Sequence, residues 1–236
     1  MNLEFYRPYF TAEYLMGPNS LRILMELLDQ SPLTLNEDSL ILDLGCGKGL
    51  TSFALCHETG ARVLANDLWV SGAENATRFA SWGVGEKVTP VHENADRLHF
   101  DRERFDAIVS IDAYHYFAGS EGYFQRKLLP FLKPGGVALI GVPGIRDAFD
   151  RETIALLSPW LGEEAALFHS PGQWRDLLGS SPEISSVWIG ELPCFEAAWQ
   201  DWLATDNEFA QSDAACWEKI IRPHTCFVGM IVQKRG

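Results

Sequence analysis

The sequence predicts an α/β fold with a parallel sheet that helices cover on both faces. Short apolar runs alternate with amphipathic segments from about residue 37 to Val142, the order that builds such sheets through right-handed crossovers. The run Leu40–Leu44 is apolar except for one acid, as expected of a strand buried on both faces. A glycine-rich turn follows it directly, and we expect a ligand to be held at this turn.

Five apolar runs predict the strands, and the segments between them carry helical signals. The predicted strands are residues 40–44, 62–66, 88–93, 105–111 and 137–142. Ser20 is expected to cap a helix with apolar residues at i, i+3, i+4 and i+7, and Ser71 with Glu74 has capping-box spacing. Further helices are expected over about residues 48–58 and 123–129.

The regular alternation is lost after Val142. Residues 184–189 and 226–233 predict two further strands, with helical, tryptophan-rich segments before and between them. Six of the eight tryptophans lie in this part of the chain, namely Trp160, Trp174, Trp188, Trp199, Trp202 and Trp217.

Length and charge limit the possible functions. The 236 residues suffice for one well-buried α/β domain and do not require two large ones. With 19 basic and 32 acidic residues the net charge is −13, the opposite of the basic surface typical of nucleic-acid-binding proteins. Nucleic acid is therefore not expected as a partner.

The cysteines and the first residues favour a reducing compartment. The five cysteines are odd in number and show no Cys-x-x-Cys or Cys/His ligand spacing, so neither a disulfide framework nor zinc is predicted. Residues 1–10 lack a basic segment followed by an apolar one, and no apolar run is long enough to span a bilayer. We therefore expect a cytoplasmic protein without membrane insertion.

The turn after the first strand has the pattern acid-x-Gly-x-Gly-x-Gly over residues 43–49. Glycines let the backbone approach a ligand closely, and the following helix offers free N–H groups. Several unrelated nucleotide folds use such a turn, but the dinucleotide pattern would require its last glycine at Leu50. The spacing therefore argues against a nicotinamide-dependent oxidoreductase.

With Asp67 ending the second strand and Asp96 following the third, this pattern resembles the class I S-adenosylmethionine-dependent methyltransferases over about residues 37–142. The resemblance implies a Rossmann-like, seven-stranded, mostly parallel sheet with an antiparallel last strand and a helical, tryptophan-rich insertion. It also implies one domain, residues 1–236, with a lid and helix in 1–36, a cofactor-binding core in 37–142 and a sheet edge in 143–236 that includes a substrate-covering insertion at about 193–223.

The resemblance also implies a cofactor site for S-adenosylmethionine. Asp67, roughly twenty residues beyond the glycines, is predicted to accept hydrogen bonds from both ribose hydroxyls, and Asp96 one from the adenine amino group. Asp112, which ends the fourth strand, is expected to contact the cofactor or a substrate amine. The predicted cofactor-binding residues are Asp43, Gly45, Cys46, Gly47, Gly49, Asp67, Leu68, Ala95, Asp96 and Asp112. No convergent ligand set predicts a metal.

His115 and Tyr14 are the predicted catalytic residues. A histidine three residues past Asp112 suits a general base, since its ordinary pKa lies near neutrality. It resembles, one position displaced, the histidine that phosphoethanolamine methyltransferases use with an amino-terminal tyrosine, for which Tyr14 is the candidate. A packing role for His115 is the alternative, because methyl transfer can proceed by alignment and exclusion of water without a dedicated base.

The segment Ile111–Tyr116 and the tryptophan-rich part of the chain resemble the branch of the family that contains quinone, sterol, phosphoethanolamine and cyclopropane-fatty-acid methyltransferases. The predicted function is methyl transfer from S-adenosylmethionine to an oxygen, nitrogen or carbon of a small-molecule acceptor, with release of S-adenosylhomocysteine. A monomer or homodimer is expected. The segment after Asp112 lacks the Asn/Asp-Pro-Pro-Tyr/Phe sequence of enzymes that methylate base amines. The alternatives left open are a protein or RNA methyltransferase and a non-catalytic nucleotide-binding module.

Overall fold

A seven-stranded sheet forms the centre of the protein and confirms the predicted fold class. The computed structural model describes residues 1–146 and 151–236. Within them the strands are β1 (Leu40–Leu44), β2 (Arg62–Asn66), β3 (Val88–Val91), β4 (Phe105–Ile111), β5 (Leu132–Ile145), β6 (Ile184–Glu191) and β7 (Thr225–Lys234). Their order is β3-β2-β1-β4-β5-β7-β6. Strands β1 to β5 pair in parallel, and β7 is antiparallel to both of its neighbours.

Helices surround the sheet. They are α1 (Leu3–Tyr6), α2 (Ser20–Gln30), α3 (Leu50–Thr59), α4 (Gly72–Ser81), α5 (Tyr123–Lys127), α6 (Arg151–Leu161), α7 (Pro171–Leu178), α8 (Phe195–Leu203), α9 (Glu208–Cys216) and α10 (Arg222–His224). Ser71 and Glu74 form the predicted capping box. Asn19, and not Ser20, caps α2, because its side-chain oxygen accepts from the Leu21 N–H at 3.0 Å. No helix in the two described segments is long and apolar enough to cross a membrane.

The longest deviation from the predicted bounds is in β5. It runs from Leu132 to Ile145, beyond the predicted residues 137–142 at both ends. Its first residue pairs with Phe105 of β4 across a register shift, and its last pairs with Thr225 of β7. The Pro-Gly-Gly sequence at 134–136, a turn signal, therefore lies inside an irregular strand.

Apolar side chains cover both faces of the sheet, as the alternation predicted. On one face α2, α3 and α4 pack through residues such as Leu24, Phe53 and Phe79. On the other face α5 and α7 pack through Phe124 and Trp174. Burial of this apolar area is the main stabilising term for the sheet.

The segment between β6 and β7 holds α8, α9, a π-helical turn (Trp217–Ile221) and α10. Its tryptophans are largely buried and pack against each other, with the ring of Trp217 stacked at 5.9 Å from that of Phe195. The Nε1 groups of Trp160 and Trp202 donate to the two carboxylate oxygens of Asp213 at 2.7 and 2.8 Å. One carboxylate thus satisfies two indole donors within this helical layer.

Helix α8 holds the start of α2 in place through Asp201. Its carboxylate accepts from Asn19 Nδ2 at 2.7 Å and from Arg22 at 2.5 and 3.2 Å. The Asn19 N–H also donates to the carbonyl of Ala198. The amino-terminal segment that precedes α2 is therefore anchored to a helix 182 positions further along the chain.

We expect Gly141→Ala to destabilise the protein, because β5 passes directly beneath α2 at this point. An added Cβ would lie 2.3 Å from Ile23 Cγ2 and 3.3 Å from Leu27 Cδ1. Overpacking of this kind costs about 1–3 kcal/mol of the free energy of unfolding, measurable by urea denaturation. Gly119→Ala is the control, since a Cβ there meets no atom within 4 Å. Equal stability of the two variants would contradict this packing.

Candidate functional site

A cavity of about 360 Å³ lies at the carboxyl ends of β1, β2 and β4. Parallel sheets present ligand sites at this edge, and the volume is within the range of small-ligand sites. The cavity is lined by residues 14–18, 20, 44–48, 50–51, 66–69, 93–96, 111–113 and 116–117. Four separate segments after strands and one segment before α2 therefore meet around it.

The glycine-rich loop after β1 is held by the end of β2. The N–H groups of Gly45 and Cys46 both donate to the carbonyl of Asn66, at 2.8 and 3.0 Å. Gly45 has φ of +77°, and a Cβ on it would lie 2.2 Å from the Cβ of Ala113. Only glycine fits here, because the backbone conformation and the neighbouring loop after β4 both exclude a side chain.

Asp67 connects this loop to the loop that follows β2. Its Oδ2 accepts from the Gly47 N–H at 2.8 Å, and its Oδ1 accepts from the N–H groups of Trp69 and Val70 at 2.7 and 2.8 Å. A carboxylate offers about four acceptor positions, so one on Oδ2 is left for a ligand. Its predicted acceptance from the ribose hydroxyls stays a prediction.

Asp43 does not line the cavity, contrary to the predicted ligand contact. Its side chain is fully buried, and Oδ2 accepts from the hydroxyls of Thr51 and Ser52, both at 2.6 Å. Oδ1 has no hydrogen-bond partner. Burial raises its pKa to about 6. Asp43 therefore holds the first turn of α3 in place beneath the glycine-rich loop. The loop lies between the Asp43 side chain and the cavity.

Gly49 also lies outside the cavity lining. It is the N-cap position of α3, and its Cα faces the ring of Phe79 in α4, which an added Cβ would approach to 2.4 Å. Its glycine is required for packing between α3 and α4 and not for approach of a ligand. Gly45, Cys46 and Gly47 of the same predicted set do line the cavity.

His115 is buried and is not among the residues that line the cavity, so its role as a general base stays a prediction. Its ring lies against Tyr116, with 4.1 Å between ring centroids, and its Nδ1 has no hydrogen-bond partner. Burial, with a smaller contribution from His169, lowers its pKa to about 3. The imidazole thus stays neutral at neutral pH and does not line the cavity, whereas Tyr14 does.

Asp112 projects into the cavity from the end of β4. It is one of two non-glycine residues with positive φ among those described, at +56°, and its N–H donates to the carbonyl of Gly141 at 2.7 Å. Burial alone raises the pKa of its carboxyl to about 7, with no hydrogen bond from the protein to oppose it. Strained backbone at the end of a central strand is typical of binding sites.

The predicted residues Leu68, Ala95 and Asp96 line the other end of the cavity. Ala95 begins a 3₁₀ turn, Ala95–Arg97, which Asn94 caps by accepting from the Asp96 N–H at 2.8 Å. The Tyr123 hydroxyl donates to the Ala95 carbonyl at 2.9 Å and fixes this turn to α5. The Asp96 side chain is left exposed at the cavity edge.

The amino-terminal segment closes the cavity from above. The Sδ of Met16 lies so near Gly47 that a Cβ there would approach it to 2.9 Å, and a Cβ on Gly17 would lie 3.2 Å from Asp112 Oδ2. Lys48 Nζ donates to the carbonyl of Glu13 at 2.6 Å and ties the segment to the glycine loop. The predicted lid at residues 1–36 thus contributes residues 14–18 and 20 to the cavity lining.

Several lining residues have no predicted role. Lys48 lies between two of the glycines, and Asn66 precedes Asp67; the Asn66 side chain exchanges two hydrogen bonds with the Glu93 backbone, at 2.9 and 3.0 Å. The position of Asn66 at the end of a predicted strand, directly before Asp67, is a sequence feature that could have indicated its place in the site. Nothing in the local sequence distinguishes Met16, whose place depends on the anchoring of the amino-terminal segment.

The expectation that the tryptophan-rich insertion covers the substrate is not supported by the cavity lining. No described residue beyond Phe117 lines the cavity, and Trp69 is the lining tryptophan. Trp160, Trp199, Trp202 and Trp217 pack around α6, α8 and the π-helical turn, and Trp174 packs against the sheet. Trp188 on β6 is 38% exposed. Residues 147–150 lie outside the described part of the chain.

Sequence comparisons agree with this geometry. A family model described as a methyltransferase domain matches residues 41–136. A sterol 24-C-methyltransferase of Debaryomyces hansenii is 28% identical over 123 residues, 51% of this chain and 32% of the relative. A 2-methyl-6-phytyl-1,4-hydroquinone methyltransferase of Synechocystis is 26% identical over 200 residues, 80% of this chain and 57% of the relative. The chain thus spans about a third to just over half of these relatives.

Comparison of structures gives the same fold over most of the chain. A methyltransferase of Geobacter sulfurreducens, solved in complex with S-adenosyl-L-homocysteine, superposes with a TM-score of 0.67 and covers 95% of each chain. Its sequence identity of 20% means that this likeness concerns the fold. No group of three or more His, Cys, Asp or Glu in residues 1–146 and 151–236 is arranged to hold a metal ion.

The raised pKa of Asp43 predicts a specific pH dependence of stability. Because the folded state binds this proton more tightly than the unfolded chain, the neutral carboxyl contributes stability that is complete below about pH 4 and lost as the pH rises through about 6. Asp43→Asn cannot ionise. We expect its free energy of unfolding, relative to the wild type, to rise by about 2–3 kcal/mol between pH 4 and pH 7.

Urea denaturation at four pH values measures this difference. Asp101→Asn is the control, because Asp101 is exposed in the turn before β4. A stability profile of Asp43→Asn that stays parallel to the wild type would show that the pKa of Asp43 is the same in the folded and the unfolded chain.

Proposed function

Because the chain belongs to the class I S-adenosylmethionine-dependent methyltransferases, we propose that it transfers a methyl group from S-adenosylmethionine to a small-molecule acceptor and releases S-adenosylhomocysteine. The observation that carries the proposal is the cavity that joins the glycine loop, Asp67 and Asp96 to Asp112 within one enclosure.

The residues present fit this cofactor. Gly45 and Gly47 keep the loop free of Cβ atoms, and the acids Asp67, Asp96 and Asp112 line the cavity. S-adenosylmethionine carries two positive groups and one carboxylate, so an acidic lining matches its net charge. The unpartnered carboxylate of Asp112 suits a cationic group in particular, because a nearby positive charge favours its ionised form.

We assign the ligand contacts as follows. Asp67 accepts from one ribose hydroxyl on the remaining position of Oδ2, and Asp96 accepts from the adenine amino group at the exposed turn. Leu68 and Ala95 contact the flat base between them. The glycine loop passes under the ribose and methionine parts, with Asp43 and Gly49 supporting it from outside the cavity.

Methyl transfer requires chiefly that the protein align the acceptor atom with the methyl group and the sulfur of the cofactor. When bound, S-adenosylmethionine supplies a methyl group already activated by attachment to a positively charged sulfur. The chain's own residues orient the acceptor and exclude water, with residues 14–18 as the upper wall. An acceptor proton is released to Asp112 or to solvent, since His115 does not reach the cavity.

The enclosure favours a small molecule over a macromolecular acceptor. A protein or RNA substrate would need an open crevice, whereas Lys48 ties the amino-terminal segment across this cavity. The net charge of −13 adds unfavourable interaction with RNA. A non-catalytic nucleotide-binding module is the remaining alternative, and consumption of the methyl group distinguishes it.

Incubation with methyl-labelled S-adenosylmethionine and a cell extract tests the reaction. We expect label in the small-molecule pool after removal of protein and nucleic acid, because Lys48 holds the amino-terminal segment across the cavity. Label confined to the macromolecular pool would support the protein or RNA alternative. Binding of S-adenosylhomocysteine without any incorporation would support the non-catalytic module.

We expect Asp67→Asn to weaken binding of S-adenosylhomocysteine by about 10- to 100-fold, measured by calorimetry. The asparagine side chain has one oxygen and one NH2 group in place of the two carboxylate oxygens. Its NH2 group would face either the Gly47 N–H or the N–H groups of Trp69 and Val70, and two donors cannot pair, so one of the loops loses its hydrogen bonds in either orientation. Asp101→Asn, an exposed acid remote from the cavity, should bind as the wild type does. Equal dissociation constants for both variants would show that Asp67 does not contribute to binding of S-adenosylhomocysteine.

A further inference from the structure

We propose that the methyl acceptor is an apolar compound that carries no phosphate or carboxylate group. The inference rests on the proposed function and specifies the substrate class of the same site. Two independent features support it, namely the charge of the cavity lining and the apolar side chains at its mouth.

The first feature is the charge of the lining. Its acids are Asp67, Glu93, Asp96 and Asp112, whereas Lys48 is its single cation within the described residues. Lys48 already donates to the Glu13 carbonyl at 2.6 Å, and burial lowers its pKa. An anionic acceptor would therefore enter a negatively charged cavity without a free cation to pair with it, which is unfavourable in a partly desolvated site.

The second feature is the exposure of large apolar side chains around the mouth. Eight large hydrophobic side chains are exposed on the described surface, and four of them line this cavity: Met16, Leu68, Trp69 and Tyr116. Single exposed apolar residues need no explanation, but a group at the rim of a cavity is typical of a binding surface. Trp69 is 68% exposed and thus offers most of its ring area.

Trp69 and Tyr116 connect two sides of the cavity. Their ring centroids are 4.9 Å apart in an edge-to-face arrangement, with Trp69 following β2 and Tyr116 following β4. His115 lies against the Tyr116 ring, and Tyr116 is still 41% exposed. An acceptor whose reactive end points toward Asp112 would place its apolar body against these two rings.

The experiment uses a small-molecule extract, methyl-labelled S-adenosylmethionine and the full chain, followed by anion exchange at pH 7 and partition into organic solvent. We expect the labelled product to pass the anion exchanger and to enter the organic phase. Label retained on the exchanger would overturn the inference while leaving the proposed function intact. Failure to bind S-adenosylhomocysteine, or no label in any fraction, would overturn the proposed function, and the inference with it.

Variants of the rim test the second feature separately. At dilute extract we expect Trp69→Ala and Tyr116→Ala to lower the initial rate of labelling at least fivefold, because apolar contact with the acceptor is lost. Binding of S-adenosylhomocysteine should change less than about threefold. Phe209→Ala is the matched control, since Phe209 is equally exposed at 68% but lies on α9, outside the lining. Rim variants that label as fast as this control would overturn the role of the rim.

Discussion

The whole site depends on hydrogen bonds between the end of β2 and the loop after β1. The Asn66 carbonyl accepts from two successive N–H groups of the loop, and the Asp67 carboxylate accepts from a third. These bonds continue the parallel pairing of β1 with β2 past the last strand residue. The loop is therefore as well fixed as the sheet itself, and its position requires glycine at Gly45, where Ala113 leaves no room for a side chain.

The fold could be predicted from the sequence because its determinants are local. Six of the seven strands were placed correctly within a residue or two from their apolar runs, and the capping box at Ser71 marked the start of α4. The extent of β5 was not predictable in this way. Its ends depend on pairing with β7, a strand some ninety residues later, which overrides the Pro-Gly-Gly turn signal.

The site was predictable in residue type but not in side-chain direction. Asp43, Gly49 and His115 lie within the expected segments, yet each points into packing below or behind the cavity. Successive side chains along a strand point to opposite faces, so a shift of one position moves a side chain from the cavity to the packed side. The spacing of residues in the sequence does not show which of the two faces a given side chain takes. The tryptophans illustrate the same limit, since a shared acceptor such as Asp213 keeps Trp160 and Trp202 inside the helical layer.

Asp112 combines two unfavourable contributions to the free energy of folding, one from its backbone and one from its carboxyl group. Its backbone has a positive φ, which costs about 1–3 kcal/mol in a non-glycine residue, and its half-buried carboxyl accepts no hydrogen bond from the described residues. Both terms persist because pairing of β4 with β5 and the overlying Gly17 fix the residue. A carboxyl with a pKa near 7 ionises readily beside a cation and becomes neutral beside an apolar group. The same side chain can therefore face a cationic cofactor on one side and an uncharged acceptor on the other, which an ordinary exposed aspartate would do less well.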